Sequence, residues 1–157
     1  MTATINKFRQ KNFPLFLISL IIVWAFVFSF FWYIISNKTH RRTFIFPSAD
    51  TGKYIVEQRN LVRNPHQGDL QFFIEEMLLG STVERTKLIF APGTKLLSCF
   101  ERNHVLYVNL SKELLQMGDG VAEIKEGTEL FKKNIKKNFS EVHSIEIYID
   151  GKSAFEK

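Results

Sequence analysis

The chain divides by hydropathy into two unlike parts. From Phe13 to Ile35 (FPLFLISLIIVWAFVFSFFWYII) no residue is charged, and from Ser36 onward apolar positions are interleaved with polar ones. At about 1.5 Å of rise per residue the run makes a helix of roughly 34 Å, enough for a hydrocarbon core of about 30 Å. Residues 13–35 are therefore read as a transmembrane helix. A cleaved signal peptide is the competing reading. Its apolar core would be about 7–15 residues long and would end in small side chains, whereas this run ends in Phe30-Phe31-Trp32-Tyr33-Ile34-Ile35. Trp32 and Tyr33 suit the bilayer interface. Pro14 is read as a first-turn proline, where no backbone N–H is lost.

Beyond the run, the period of the apolar positions changes several times. Ser36 to Arg42 is polar and short, a juxtamembrane linker. Thr43 to Phe46 reads as a strand closed by Pro47, residues 48–52 as a turn, and Tyr54 to Val62 as a second strand. Leu70, Phe73, Ile74, Met77 and Leu78 then recur at helical spacing up to a left-handed stop at Gly80. Leu96 to Phe100 and Val105 to Leu110 form a hairpin around Glu101 to His104. Asp119 is read as the cap of a second helix reaching Asn138, with Ile124, Phe131, Ile135 and Phe139 inward and Lys132, Lys133, Lys136 and Lys137 outward. In Ser144 to Asp150 three isoleucines alternate with polar residues, a half-buried strand that Asp150-Gly151 turns back.

The resulting order, β-β-α-β-β-α-β, gives an α+β domain in which two helices pack on one face of a small sheet behind an N-terminal transmembrane helix. The layout is a short basic cytoplasmic tail (1–12), the helix (13–35), the linker (36–42) and one soluble domain (43–157). That domain is long enough for one core and too short for two.

Charge changes the picture little. The chain of 157 residues carries a formal +5, but Lys7, Arg9 and Lys11 precede the apolar run, so the rest is close to neutral. No nucleic-acid footprint follows. Three cations flank the run on each side, counting Lys38, Arg41 and Arg42, so orientation cannot be read from charge alone. A short basic tail before a first apolar segment places that tail in the cytoplasm and the domain outside.

Candidate chemistry is sparse. Cys99, the only cysteine, forbids an internal disulfide; with His104 or His143 it could suggest a thiol nucleophile, but its strand position fits a small core filler. His40, His66, His104 and His143 lack ligand-like spacing. Glu75 and Glu76 point about 100° apart on their helix and flank an apolar stripe, as solvated residues do. Gly118-Asp119-Gly120 lacks the rest of a calcium loop. No catalytic, metal or cofactor residue is assigned, and no enzyme is expected. The lysines of the second helix are either a solvated face or a surface for anionic lipid or an acidic partner.

Taken in order, Phe44-Ile45-Phe46-Pro47, the helix Phe73 to Gly80 with its Leu78-Leu79-Gly80 stop, Ala91 to Leu97, Val105 to Ser111 and the closing strand Val142 to Gly151 resemble the GerMN domain. This family occurs in spore germination and sporulation proteins and in other bacterial envelope proteins. The resemblance covers roughly residues 43–152. It implies an extracytoplasmic domain similar to ring-building motifs, held at the membrane and without known catalysis. The chain departs from lipoprotein members in having no lipid-accepting cysteine after its apolar run, and from the germination protein in carrying one such domain. The expected function is a membrane-anchored interaction or scaffold module of the cell envelope that docks with itself or another envelope protein. Thr43–Phe46 and Ser144–Asp150 are the candidate edge strands. Binding of a small ligand or wall glycan by the loops at 91–94 and 118–120 is the alternative.

Overall fold

A computed structural model describes residues 2–36, 39–63 and 65–154; Asn37 and Lys38 of the expected linker and the last three residues lie outside them. The chain forms two compact units, residues 1–38 and 39–157. The first is α1 (Thr2–Ser36), in which Pro14–Ile34 is long and apolar enough to cross a bilayer, with a mean hydropathy of 2.5. Every side chain from Pro14 to Ile34 is exposed, unlike the inner face of a soluble core helix. Helix begins well before the apolar run, so Pro14 sits inside it rather than in its first turn. A proline there removes one i to i−4 hydrogen bond, a cost that membrane helices tolerate.

The second unit begins with a hairpin longer than the sequence pattern suggested. Strand β1 (Thr39–Pro47) pairs antiparallel with β2 (Tyr54–Val62), from Thr39 opposite Val62 to Pro47 opposite Tyr54. Residues 39–42, expected in the linker, are thus part of the strand. Helix α2 (Asp69–Leu78) follows, then β3 (Leu96–Arg102) and β4 (Val105–Leu110). Asn103 and His104 join them, both at positive φ (53° and 61°), as a type I′ hairpin turn requires. Helix α3 (Ile124–Asn138) leads to β5 (Ser144–Ile149), and the short β6 (Lys152–Ser153) is the last described element.

The fold is the expected mixture of helices and strands, but its strands divide between two sheets. One is the β1–β2 hairpin; the other has the order β3-β4-β5-β6. β4 and β5 are parallel, which needs a long crossover, and α3 supplies it. One core joins both sheets. Phe44 and Phe46 of β1, Phe73, Ile74 and Met77 of α2, Leu106, Val108 and Leu110 of β4, and Phe131 and Ile135 of α3 are all buried in it. The rings of Phe44 and Phe73 stack at 4.6 Å, and Phe139 meets Phe73 edge-on at 5.4 Å.

Asp119 does not cap α3, whose first residue is Ile124. The intervening backbone is used differently: Leu88 donates to the Gly120 carbonyl at 2.8 Å and Ala122 donates to the Leu88 carbonyl at 2.9 Å, a short parallel bridge that delays the helix. Gly127 then lets α3 approach that segment, because a Cβ there would strike the Ile89 carbonyl oxygen and press on the Phe90 ring. Gly127→Ala is therefore expected to destabilise the unit by about 1–2 kcal/mol, overpacking outweighing alanine's better helix propensity. A urea midpoint equal to or above wild type would refute this.

Candidate functional site

The exposed side of a two-stranded sheet has two edges, and this protein treats them oppositely. α3 runs along the edge of β1. The Asn134 Oδ1 accepts the Ile45 N–H at 2.7 Å, while its Nδ2 donates to the Ile45 and Leu130 carbonyls, each at 2.9 Å. One turn later Asn138 does the same for Thr43, accepting its N–H at 2.8 Å and donating to its carbonyl at 2.6 Å. The match is geometric. Alternate strand residues repeat every 6.6 Å or so and successive helix turns about every 6 Å, so amides at i and i+4 meet backbone groups at i and i+2. Lys87 continues the cover by donating to the Pro47 carbonyl at 2.8 Å. The Arg42 guanidinium binds the Asn138 carbonyl at 2.7 Å and lies 4.2 Å over the Phe139 ring.

This pairing also fixes the direction of every backbone group in β2. Thr43, Ile45 and Pro47 face away from β2, so Phe44 and Phe46 face it and bond Glu57 and Ile55. The N–H and C=O groups of Tyr54, Val56, Gln58, Asn60 and Val62 consequently point outward. Among the described residues nothing bonds them. The side chains of the same five residues are exposed, with Tyr54, Val56 and Val62 at 49%, 61% and 60%, and none is charged. β3, the outer strand of the larger sheet, is different. A bulge between Leu96 and Ser98 breaks its register, a common protection of sheet edges.

On the inner face of β2 the charges are locked together. The Arg59 guanidinium donates to Glu57 through Nε at 2.7 Å and Nη2 at 3.0 Å, and also to the Gly80 carbonyl at 2.6 Å. Ser81 and Thr82 hydroxyls donate to the same carboxylate at 2.7 and 2.5 Å. Arg59 lies 4.7 Å over the Phe44 ring. These donors, Arg59 foremost, outweigh the cost of burial and hold the Glu57 carboxyl at about 2 rather than its ordinary 4.5. Every partner is satisfied, so the cluster anchors β2 to the loop after α2 and offers nothing to a substrate.

The family model described as "Germane: Sporulation and spore germination" matches residues 43–155. The chain belongs to this family. The first GerMN domain of the sporulation protein GerM from Bacillus subtilis superposes with a TM-score of 0.59 at 11% identity, over 73% of this chain and 86% of that one. The tandem GerMN domains of the same protein superpose with a TM-score of 0.57 at 17% identity, over 74% of this chain but only 40% of theirs. These likenesses show a shared fold. An uncharacterized lipoprotein of Treponema pallidum (strain Nichols) is 27% identical over 106 residues, 67% of this chain and 78% of its own length.

Of the two expected edge strands, β1 is covered at Thr43 and Ile45 by the two asparagines, and β5 is flanked by β4 along its length but by β6 only at Tyr148 and Ile149. The loops at 91–94 and 118–120 are each tied back onto neighbouring backbone. Thr94 closes on the Ala91 carbonyl through its N–H and hydroxyl, and Gly120 is engaged by Leu88. A groove of about 350 Å³ lies on the outer face of the four-stranded sheet between Phe100, Tyr107, Asn109 and Tyr148. Phe100 and Tyr107 stack there at 4.9 Å.

His104 and His143 do come together, with ring centroids 4.8 Å apart, but the His104 Nδ1 is 3.0 Å from the Glu141 carbonyl. Among the described residues no three metal-ligating side chains converge. Burial first, and then the charge of Glu75, push the Cys99 thiol up to about 11, so it stays protonated. On α3, Lys133, Lys136 and Lys137 are exposed and Lys132 is half-buried. Lys136 and Lys137 lie in the last turn, where cations complement the helix dipole.

Proposed function

We propose that this GerMN protein is a membrane-anchored, non-enzymatic interaction module of the bacterial cell envelope, with α1 as its membrane span and the domain outside the cytoplasm. One observation carries the interaction reading: β1 is capped by the buried Asn134 and the part-buried Asn138 while β2, nine residues long and uncharged on its exposed side, keeps an open edge. Edges without a partner are normally shortened, charged or bulged, and an open one is a template for strand addition. The exposed apolar circumference of α1 and the lipoprotein relative support the envelope location.

Cross-linking intact cells that make the C-terminally tagged protein, followed by purification in detergent, tests the reading. We expect a defined complex with repeated copies or one envelope protein. An uncross-linked monomer at native expression would overturn it.

A second reading is favoured by the aromatic groove. Phe100, Tyr107 and Tyr148 beside Asn109 offer ring faces and a polar amide, the combination that suits a wall glycan. It predicts that glycan fragments raise the melting temperature of the wild type and that Tyr107→Ala removes the shift. No shift with any fragment would end it.

A further inference from the structure

The open edge of β2 is self-complementary, and we infer that its partner is β2 of a second copy of this chain, paired antiparallel about a two-fold axis at Gln58. This deepens the interaction reading and rests on it.

The outward-facing backbone groups belong to Tyr54, Val56, Gln58, Asn60 and Val62. An antiparallel partner of identical sequence uses all five in one register alone. Tyr54 then faces the partner's Val62, Val56 its Asn60, and Gln58 its Gln58. On the other side of the sheet the same register sets Glu57 against the partner's Arg59 and Ile55 against its Leu61. Opposite charges and apolar pairs therefore meet, which is what stabilises facing strands.

The neighbouring registers fail on the same residues. A slip of one residue pair in one direction opposes Glu57 to Glu57, and in the other it opposes Arg59 to Arg59. Like charges directly opposite one another are destabilising, so the strand encodes its own register as well as its own partner. The product is an isologous two-fold pair. The separate two-stranded sheet β1–β2 becomes the half of a four-stranded sheet, ordered β1-β2-β2-β1, whose outer edges are already covered from Thr43 to Pro47 by Asn138, Asn134 and Lys87. Both open strands are consumed and none remains for further growth, so the assembly stops at two. Lys53 and Arg63, one residue beyond the strand, oppose each other at both ends, and salt screens that repulsion.

Cysteine pairing in the full chain in its membrane tests this directly. In a Cys99→Ser background, Gln58→Cys is expected to form a disulfide-linked dimer on mild oxidation, since facing strand residues lie about 5.5 Å apart at Cα, within disulfide reach. Val56→Cys alone is expected to form no disulfide link, and a mixture of the Val56→Cys and Asn60→Cys proteins to cross-link. Gln58→Lys is expected to weaken the wild-type dimer several-fold in detergent; association through α1 alone would leave it unchanged. Absence of the 58–58 link in a folded protein, or equal linking of Val56→Cys with itself, overturns the proposal. If the link is absent while intact-cell cross-linking still captures an envelope protein, the self-pairing is wrong and the interaction reading stands; if both are absent, both fall.

Discussion

Replacing Asn134 by alanine is expected to remove about 3 kcal/mol from the stability of residues 39–157. The side chain is fully buried and makes three hydrogen bonds, two of them to the N–H and C=O of Ile45. Deleting it strands a donor and an acceptor away from water, and each orphaned group costs about 1–3 kcal/mol. Alanine's higher helix propensity recovers only about half a kcal/mol. Asn138 is part-buried and its partners are nearer solvent, so Asn138→Ala is expected to cost less. Lys136→Ala, on the exposed face of the same helix, serves as the control with little change. Urea unfolding gives the totals, and amide exchange at Ile45 gives the local effect. A loss under about 1 kcal/mol at Asn134 would mean that water enters and takes over the bonds.

That role was invisible in the apolar pattern. The period along α3 correctly located Phe131 and Ile135 in the core, because hydrophobic spacing reports which face is buried. It does not report what a polar residue at the margin of that face touches. Two asparagines one turn apart look alike whether they meet water or a strand edge. Their only signal was chemical, since asparagine is a poor helix former placed where lysine and glutamate otherwise dominate.

The same limit explains the sheets. Strand existence follows from local alternation, and β2, β4 and β5 lie where the alternation put them. Which edges pair depends on contacts distant in sequence, so the division into two sheets, the parallel β4–β5 ladder and the covered edge of β1 were not legible. The late end assigned to the linker had a similar cause. Thr39 to Arg42 is polar and carries no apolar alternation, yet it pairs with Arg59 to Val62 because the hairpin turn sets the register of everything that follows.

Glu57 and Arg59 were legible in principle. They occupy the same face of β2 as Ile55 and Leu61, a half-buried face by its apolar members, and two opposite charges at i and i+2 on such a face must neutralise each other. Glu57→Gln is expected to cost on the order of 3 kcal/mol near neutral pH, as breaking one side of a buried pair does. The glutamine keeps one acceptor but turns an NH2 toward donors, while Arg59, whose side chain is only 14% exposed, keeps its charge. The wild-type carboxyl lies at about 2 in the folded protein against 4.5 ordinarily. A carboxyl lowered on folding stabilises the native state above its unfolded value, and that contribution is lost as pH falls toward the folded one. The stability gap between wild type and Glu57→Gln should therefore be constant near neutrality and shrink from about pH 4.5 down to about pH 2. A gap that persists unchanged through that window would show that the carboxylic acid is held as well as the carboxylate, and that shape rather than charge fastens β2 to the loop behind α2.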